Sequence, residues 1–93
     1  MNEVRIRNAE GDIIRRSKNL RAIIEHNRKV VVASVHLFPA MIGTGGLLGV
    51  TWIDGSDTIT DFASYTVMLA WVKARKAFAG KWREVGRISA VQP

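Results

Sequence analysis

Apolar positions fall along this chain in two alternating rhythms, and the change from one to the other marks the elements. In "VRIRNAEGDIIRR" Val4 and Ile6 alternate with Arg5 and Arg7, the period of two expected of a strand with one wet face. Asn8 to Gly11 supply a turn, with Gly11 free to take a positive φ, and Ile13 and Ile14 belong to a returning strand. The period then lengthens. Leu20, Ile23, Ile24 and Asn27 fit one face of a helix, with Ser17 ahead of them as its expected N-cap and Arg28 and Lys29 at its end, where the dipole favours cations.

The pattern returns to strands in "VVVASVHLFP", which is apolar on both alternating sets. That composition predicts a strand near the middle of a sheet with both faces partly covered, ended by Pro39. After the connection "AMIGTGG", the strand "LLGVTWI" places Leu48, Val50 and Trp52 on one face. The turn "DGSD" leads into its partner, "TITDF". Ser64 is expected to cap a second helix running to about Ala79. Val67, Trp71, Ala74 and Phe78, with Met68 and Val72 beside them, form its expected buried stripe, and Gly80 its C′ residue. A short edge strand is expected around Trp82–Val85.

The resulting order, ββα–βββα, predicts an α+β fold: two layers, a mostly antiparallel sheet with both helices on one face. At 93 residues the chain suits a single domain, 1–93, with a basic tail over 80–93. A domain of this size buries roughly 60–65% of the surface exposed by its unfolded chain, so its stability margin is modest. The two halves also echo one another. Ser17 aligns with Ser64, Leu20 with Val67, Ile24 with Trp71, and Arg28 and Lys29 with Arg75 and Lys76, as an ancient duplication or the generic look of hairpin-then-helix units requires.

Composition narrows the chemistry. There is no cysteine, which excludes disulfides, thiolate catalysis and cysteine-based metal sites. "MNEVRIRNAEG" has no apolar core of the kind a secretory signal needs, and the longest apolar stretches fall well short of the roughly 20 residues of a membrane span. A soluble, cytoplasmic protein is expected. Only His26 and His36 have a side chain suited to proton transfer near neutral pH, and neither stands beside a nucleophile in sequence. Ser64 reads as a cap before it reads as a nucleophile, because the G-x-S-x-G elbow is absent. Asp54, Asp57 and Asp61 cluster at one hairpin but read as turn residues, and Gly43 to Gly49 lack the lysine and the following helix of a phosphate loop. No cofactor, metal site or enzymatic activity is expected. Met41, Ile42, Leu47 and Leu48 form either an exposed apolar tip or a flap over the core.

Charge is the most informative feature. Fourteen Lys and Arg against eight Asp and Glu leave a formal charge of +6. Such a bias favours nucleic acid, an acidic protein or a nucleoprotein complex as partner, although it also keeps a small domain soluble. Arg5 and Arg7 share a strand face. Arg15, Arg16, Lys18 and Arg21 gather where the first hairpin enters its helix, and Lys73, Arg75, Lys76, Lys81 and Arg83 gather near the end of the second helix, with Trp82 among them. Cations interleaved with an aromatic suit backbone attraction plus base stacking. No helix-turn-helix, RNA-recognition or zinc-finger signature accompanies them.

The pairing of "RRSKNLRAIIEH" with "DFASYTVMLAWVKARK" resembles small accessory proteins of proteobacterial phages and other mobile elements, over less than half of the chain. Size, architecture and the lack of catalytic groups also look like phage anti-CRISPR proteins. That resemblance implies a second expected role, inhibition of a host defence complex by protein–protein contact, and assigns no site residues. A homodimer through an open strand edge is a further expectation.

Overall fold

The first hairpin forms where the alternation predicts it. In the computed structural model, which describes residues 3–86, strand β1 is Val4–Arg7 and buries Val4 and Ile6 completely. Asn8 Oδ1 closes the turn by accepting from the backbone N–H groups of Glu10 and Asp12 at 3.1 and 2.9 Å. Strand β2 (Ile13–Ser17) returns antiparallel to β1. Helix α1 (Arg21–Asn27) follows, then β3 (Val32–Pro39), β4 (Gly46–Trp52) and β5 (Asp57–Phe62). Helix α2 (Tyr65–Lys73), a 3-10 turn at Lys76–Phe78 and β6 (Trp82–Glu84) complete the described chain. The last part of the expected basic tail, 87–93, lies outside the described residues.

The six strands form one sheet in the order β2-β1-β5-β4-β3-β6, antiparallel throughout except for the pairing of β3 with β6. Following these directions, β2 is parallel to β3, and β5 to β6. Each helix is therefore the crossover between two parallel strands, α1 from β2 to β3 and α2 from β5 to β6. The two halves thus share a crossover helix but not a capping serine. The fold is the expected α+β arrangement, a mostly antiparallel sheet with both helices on one face.

The core lies between that face and the helices. Val4, Ile6, Val35, Leu37, Leu48, Val50 and Trp52 come from the sheet, and Ala22, Ile23, Met68, Val72 and Phe78 close over them. Among the described residues no helix is long and apolar enough to cross a membrane.

Several local expectations change. Ser17 does not cap α1. Its pairing with Val4 keeps it in β2, and its Oγ accepts from Asn19 N at 3.2 Å. Leu20 takes the cap position without a side-chain bond, while Asn19 Oδ1 accepts from Arg21 N at 2.6 Å. Ser64 does cap α2, accepting from Val67 N at 3.2 Å. That helix stops at Lys73, short of Ala79, and its buried line is Tyr65, Met68 and Val72. Val67 and Ala74 are exposed and Trp71 is only half-buried. The buried face is thus offset by about one residue from the expected stripe, and Phe78 reaches the core from the 3-10 turn rather than from the helix. Strand β3 buries one face fully with Val35 and Leu37, while on the other His36 is half-covered and Phe38 exposed.

Gly46 shows how tightly α2 is seated. A Cβ there would lie 2.6 Å from Met68 Cε and 2.9 Å from the backbone oxygen of Phe38. Only a residue without a side chain lets the helix and β3 approach β4 this closely.

Candidate functional site

The predicted basic residues divide between the two faces of the molecule. Residues paired across neighbouring strands share a face, so the registers place Arg16, Arg5, Ile59, Gly49, His36 and Arg83 in one row across the helix-free side of the sheet. Arg7 lies on the same side, opposite Asp57. Phe38 stands beside the row, its ring stacked on His36 with centroids 6.2 Å apart. On this face only Arg5 has an ion pair among the described residues. Arg5 bonds Asp61 at 3.3 Å and approaches Glu3 at 3.6 Å, and Asp57 faces Arg7.

The first expected cluster comes apart in the fold. Alternation along β2 sends Arg16 to the open face and Arg15 to the helix side. There Arg15 bonds Glu25 of α1 at 2.7 Å, and this hydrogen bond holds the Glu25 carboxyl below its usual range. Lys18 and Arg21 remain exposed at the start of α1.

The second cluster gains members. Neither 26–53 nor 62–83 contains an Asp or Glu. The fold brings the end of α1, from the first stretch, against the end of α2, from the second. Ile23, Ile24 and Asn27 of α1 face Trp71, Ala74, Arg75, Lys76, Ala77 and Phe78 across a cavity of about 200 Å³. Arg28 and Lys29 follow directly on α1. Beyond them lie Lys73, Arg75, Lys76 and Lys81. Among the described residues none of these six cations has an ion pair. The Arg75 guanidinium lies 4.9 Å from the centre of the Trp71 ring, and its buried Nε has no hydrogen-bond partner. Lys81 Nζ donates to the carbonyl of Val32 at 2.9 Å.

Trp82 is not a free stacking surface. It sits half-buried against the core on the helix side, with Lys73 Nζ 6.0 Å from its ring centre. Arg83, its neighbour in β6, points to the opposite face, because successive strand residues alternate. Sequence reasoning thus separated Arg83 too little from Lys81 and Trp82, and it missed Asn27 and Trp71. Arg28 and Lys29 it placed at the helix dipole and aligned with Arg75 and Lys76, without bringing the two pairs to one corner. The absence of acidic residues from both long stretches is the signal that locates this corner.

The remaining polar groups are engaged in the fold. Ser56 Oγ donates to Asp54 Oδ1 at 2.5 Å and lies 3.3 Å from His26 Nε2. The carboxylate therefore meets the serine rather than the histidine, which is not the order of a nucleophilic triad. The contact ties α1 to the β4–β5 turn. Burial lowers the His26 pKa, with the nearby Asp54 charge opposing that shift, and the two hydrogen bonds from Ser56 lower the Asp54 pKa. Among the described residues no group of three His, Asp or Glu side chains is placed to hold a metal ion. At the β3–β4 tip Met41 and Ile42 are fully exposed, whereas Leu48 is core.

No family model, curated protein or solved structure matches this chain.

Proposed function

We propose that this chain is a small cytoplasmic, non-enzymatic binding module that docks on nucleic acid, alone or within a nucleoprotein, through the corner formed by the ends of α1 and α2. One observation supports this reading above the others: Arg75 and Lys76 line a cavity between the two helix ends, and they and the neighbouring Arg28, Lys29, Lys73 and Lys81 have no ion pair among the described residues. Phosphates of a nucleic-acid backbone supply the missing counter-charge, and their condensed counterions are released on binding. The open sheet face contributes less, since Arg5 is already paired with Asp61 and Glu3.

The test is the salt dependence of binding to a labelled oligonucleotide. If all six cations meet phosphates, the logarithm of affinity falls against the logarithm of salt with a slope of about −4 to −5. Reversing Arg28, Lys73 and Lys76 to Glu should abolish binding at moderate salt, whereas R16E should weaken it slightly. No binding at low salt refutes the proposal.

A second reading, inhibition of a host defence complex by a phage or mobile-element protein, is favoured by a different observation. Met41 and Ile42 are 102% and 93% exposed, on a tip that no other described residue covers. Exposed neighbouring apolar side chains suit a partner's pocket. Capture of a defined protein complex by the wild type, lost in Met41→Ser/Ile42→Ser, distinguishes it. Neither reading requires the homodimer through an open strand edge. Edge-to-edge pairing through β2 brings Arg15 and Arg16 against their own copies, as charged edges do to discourage such pairing.

A further inference from the structure

We infer that the cavity between α1 and the α2 corner seats one unstacked nucleobase, so that the ligand is single-stranded rather than duplex; this rests on the nucleic-acid reading above. Its walls are apolar, from Ile23, Ile24 and Phe78, with Trp71 beneath the Arg75 guanidinium. Its volume of about 200 Å³ is enough for a planar ring system.

Two side chains with hydrogen-bonding capacity line this space. Arg75 Nε–H is buried without an acceptor, and Asn27 brings an amide to the same cavity. A buried donor with no acceptor costs free energy that a ligand recovers by supplying one. Base edges carry such acceptors, and the amide can donate and accept against the same edge. An apolar slot with a few converging polar groups is the usual form of a site for a small planar ligand.

Charge selects among planar ligands. Lys76 lines the cavity, and Arg28, Lys29 and Lys73 flank it on the same two helix ends, with no carboxylate in its lining. A lone aromatic acid answers one of these cations. A strand answers all of them, because each base is attached to a chain of phosphates on both sides. In duplex DNA the bases are stacked inside and a pocket of this shape has nothing to take without unpairing them.

The experiment measures affinity by fluorescence anisotropy at low salt for three labelled probes of equal phosphate number: oligothymidylate, the same backbone with abasic sites, and a duplex. The full-length protein is used with two variants, A77L and A74L, which fill the cavity from exposed positions without altering charge. R75K is a third, keeping the charge but not the Nε donor. Oligothymidylate should bind the wild type about 5- to 150-fold more tightly than the abasic strand, the range expected for one stacked base. A77L should remove that preference while leaving affinity for the abasic strand and the salt slope unchanged, and R75K should reduce it. Circular dichroism confirms that each variant is folded, and A74L substitutes if A77L is not. Equal affinity for all three probes, insensitive to cavity filling, overturns the base pocket and leaves the phosphate-docking proposal standing. No binding to any probe overturns both.

Discussion

Two threonines of β5, two residues apart on the same buried face, should respond in opposite directions to the same substitution. Thr58 and Thr60 both have 0% exposure. Thr58 Oγ1 accepts a 2.7 Å hydrogen bond from Trp52 Nε1, and Trp52 is itself buried. Thr60 Oγ1 is buried with no partner. Valine replaces threonine with almost the same shape, so packing is held constant and the hydroxyl alone is tested. In T58V the indole N–H loses its acceptor where water cannot replace it, at a cost of about 1–3 kcal/mol. In T60V an unsatisfied hydroxyl gives way to a methyl group, and stability should rise by up to about 1 kcal/mol. Each kcal/mol moves the midpoint of a domain this small by about 4–8 °C. T58V should then melt roughly 5–20 °C lower than wild type and T60V a few degrees higher. Thermal melts and urea titrations followed by circular dichroism measure both, and an unchanged urea m-value shows that the denatured state is not the cause. Equal losses from the two substitutions would refute the reasoning, because they would mean that packing and not hydrogen bonding decides the strand's tolerance.

Two further outcomes are expected. G46A should cost about 1–3 kcal/mol by forcing Met68 and the β3 backbone aside, whereas G49A, whose Cβ meets Phe38 at an ordinary 3.7 Å, should be nearly neutral; chemical denaturation compares them. His26 should make stability pH-dependent. Its folded pKa lies below the 6.5 of the free side chain, so the unfolded chain takes up the proton first. The stabilisation is complete above about pH 6.5 and is lost as pH falls through the folded pKa, a decline that H26Q should flatten in melts between about pH 7.5 and 5.

The elements themselves are written in local patterns. Alternation in 4–7 and 57–62, the Asp54-Gly55 turn and the Ser64 cap each depend on residues close in sequence, and the structure has all of them where those patterns put them. The net charge, and the absence of Asp and Glu from 26–53 and 62–83, are likewise properties of the chain alone. What the chain alone did not decide is which neighbours meet. Ser17 has the chemistry of a cap, but pairing with Val4, thirteen positions away, holds it in a strand. The buried line of α2 is Tyr65, Met68 and Val72 rather than the expected stripe, with Met68 seated against Gly46 of β4, which lies far away in sequence. Arg15 and Arg16 are adjacent in sequence yet stand on opposite faces, one bonded to Glu25, while Asn27 and Arg75 meet across a cavity from 48 positions apart. Hydrogen bonding in turns and caps acts over a few residues, so it is legible in sequence. Burial and charge pairing act through space, so the candidate site became visible only when the crossovers brought the two helix ends together.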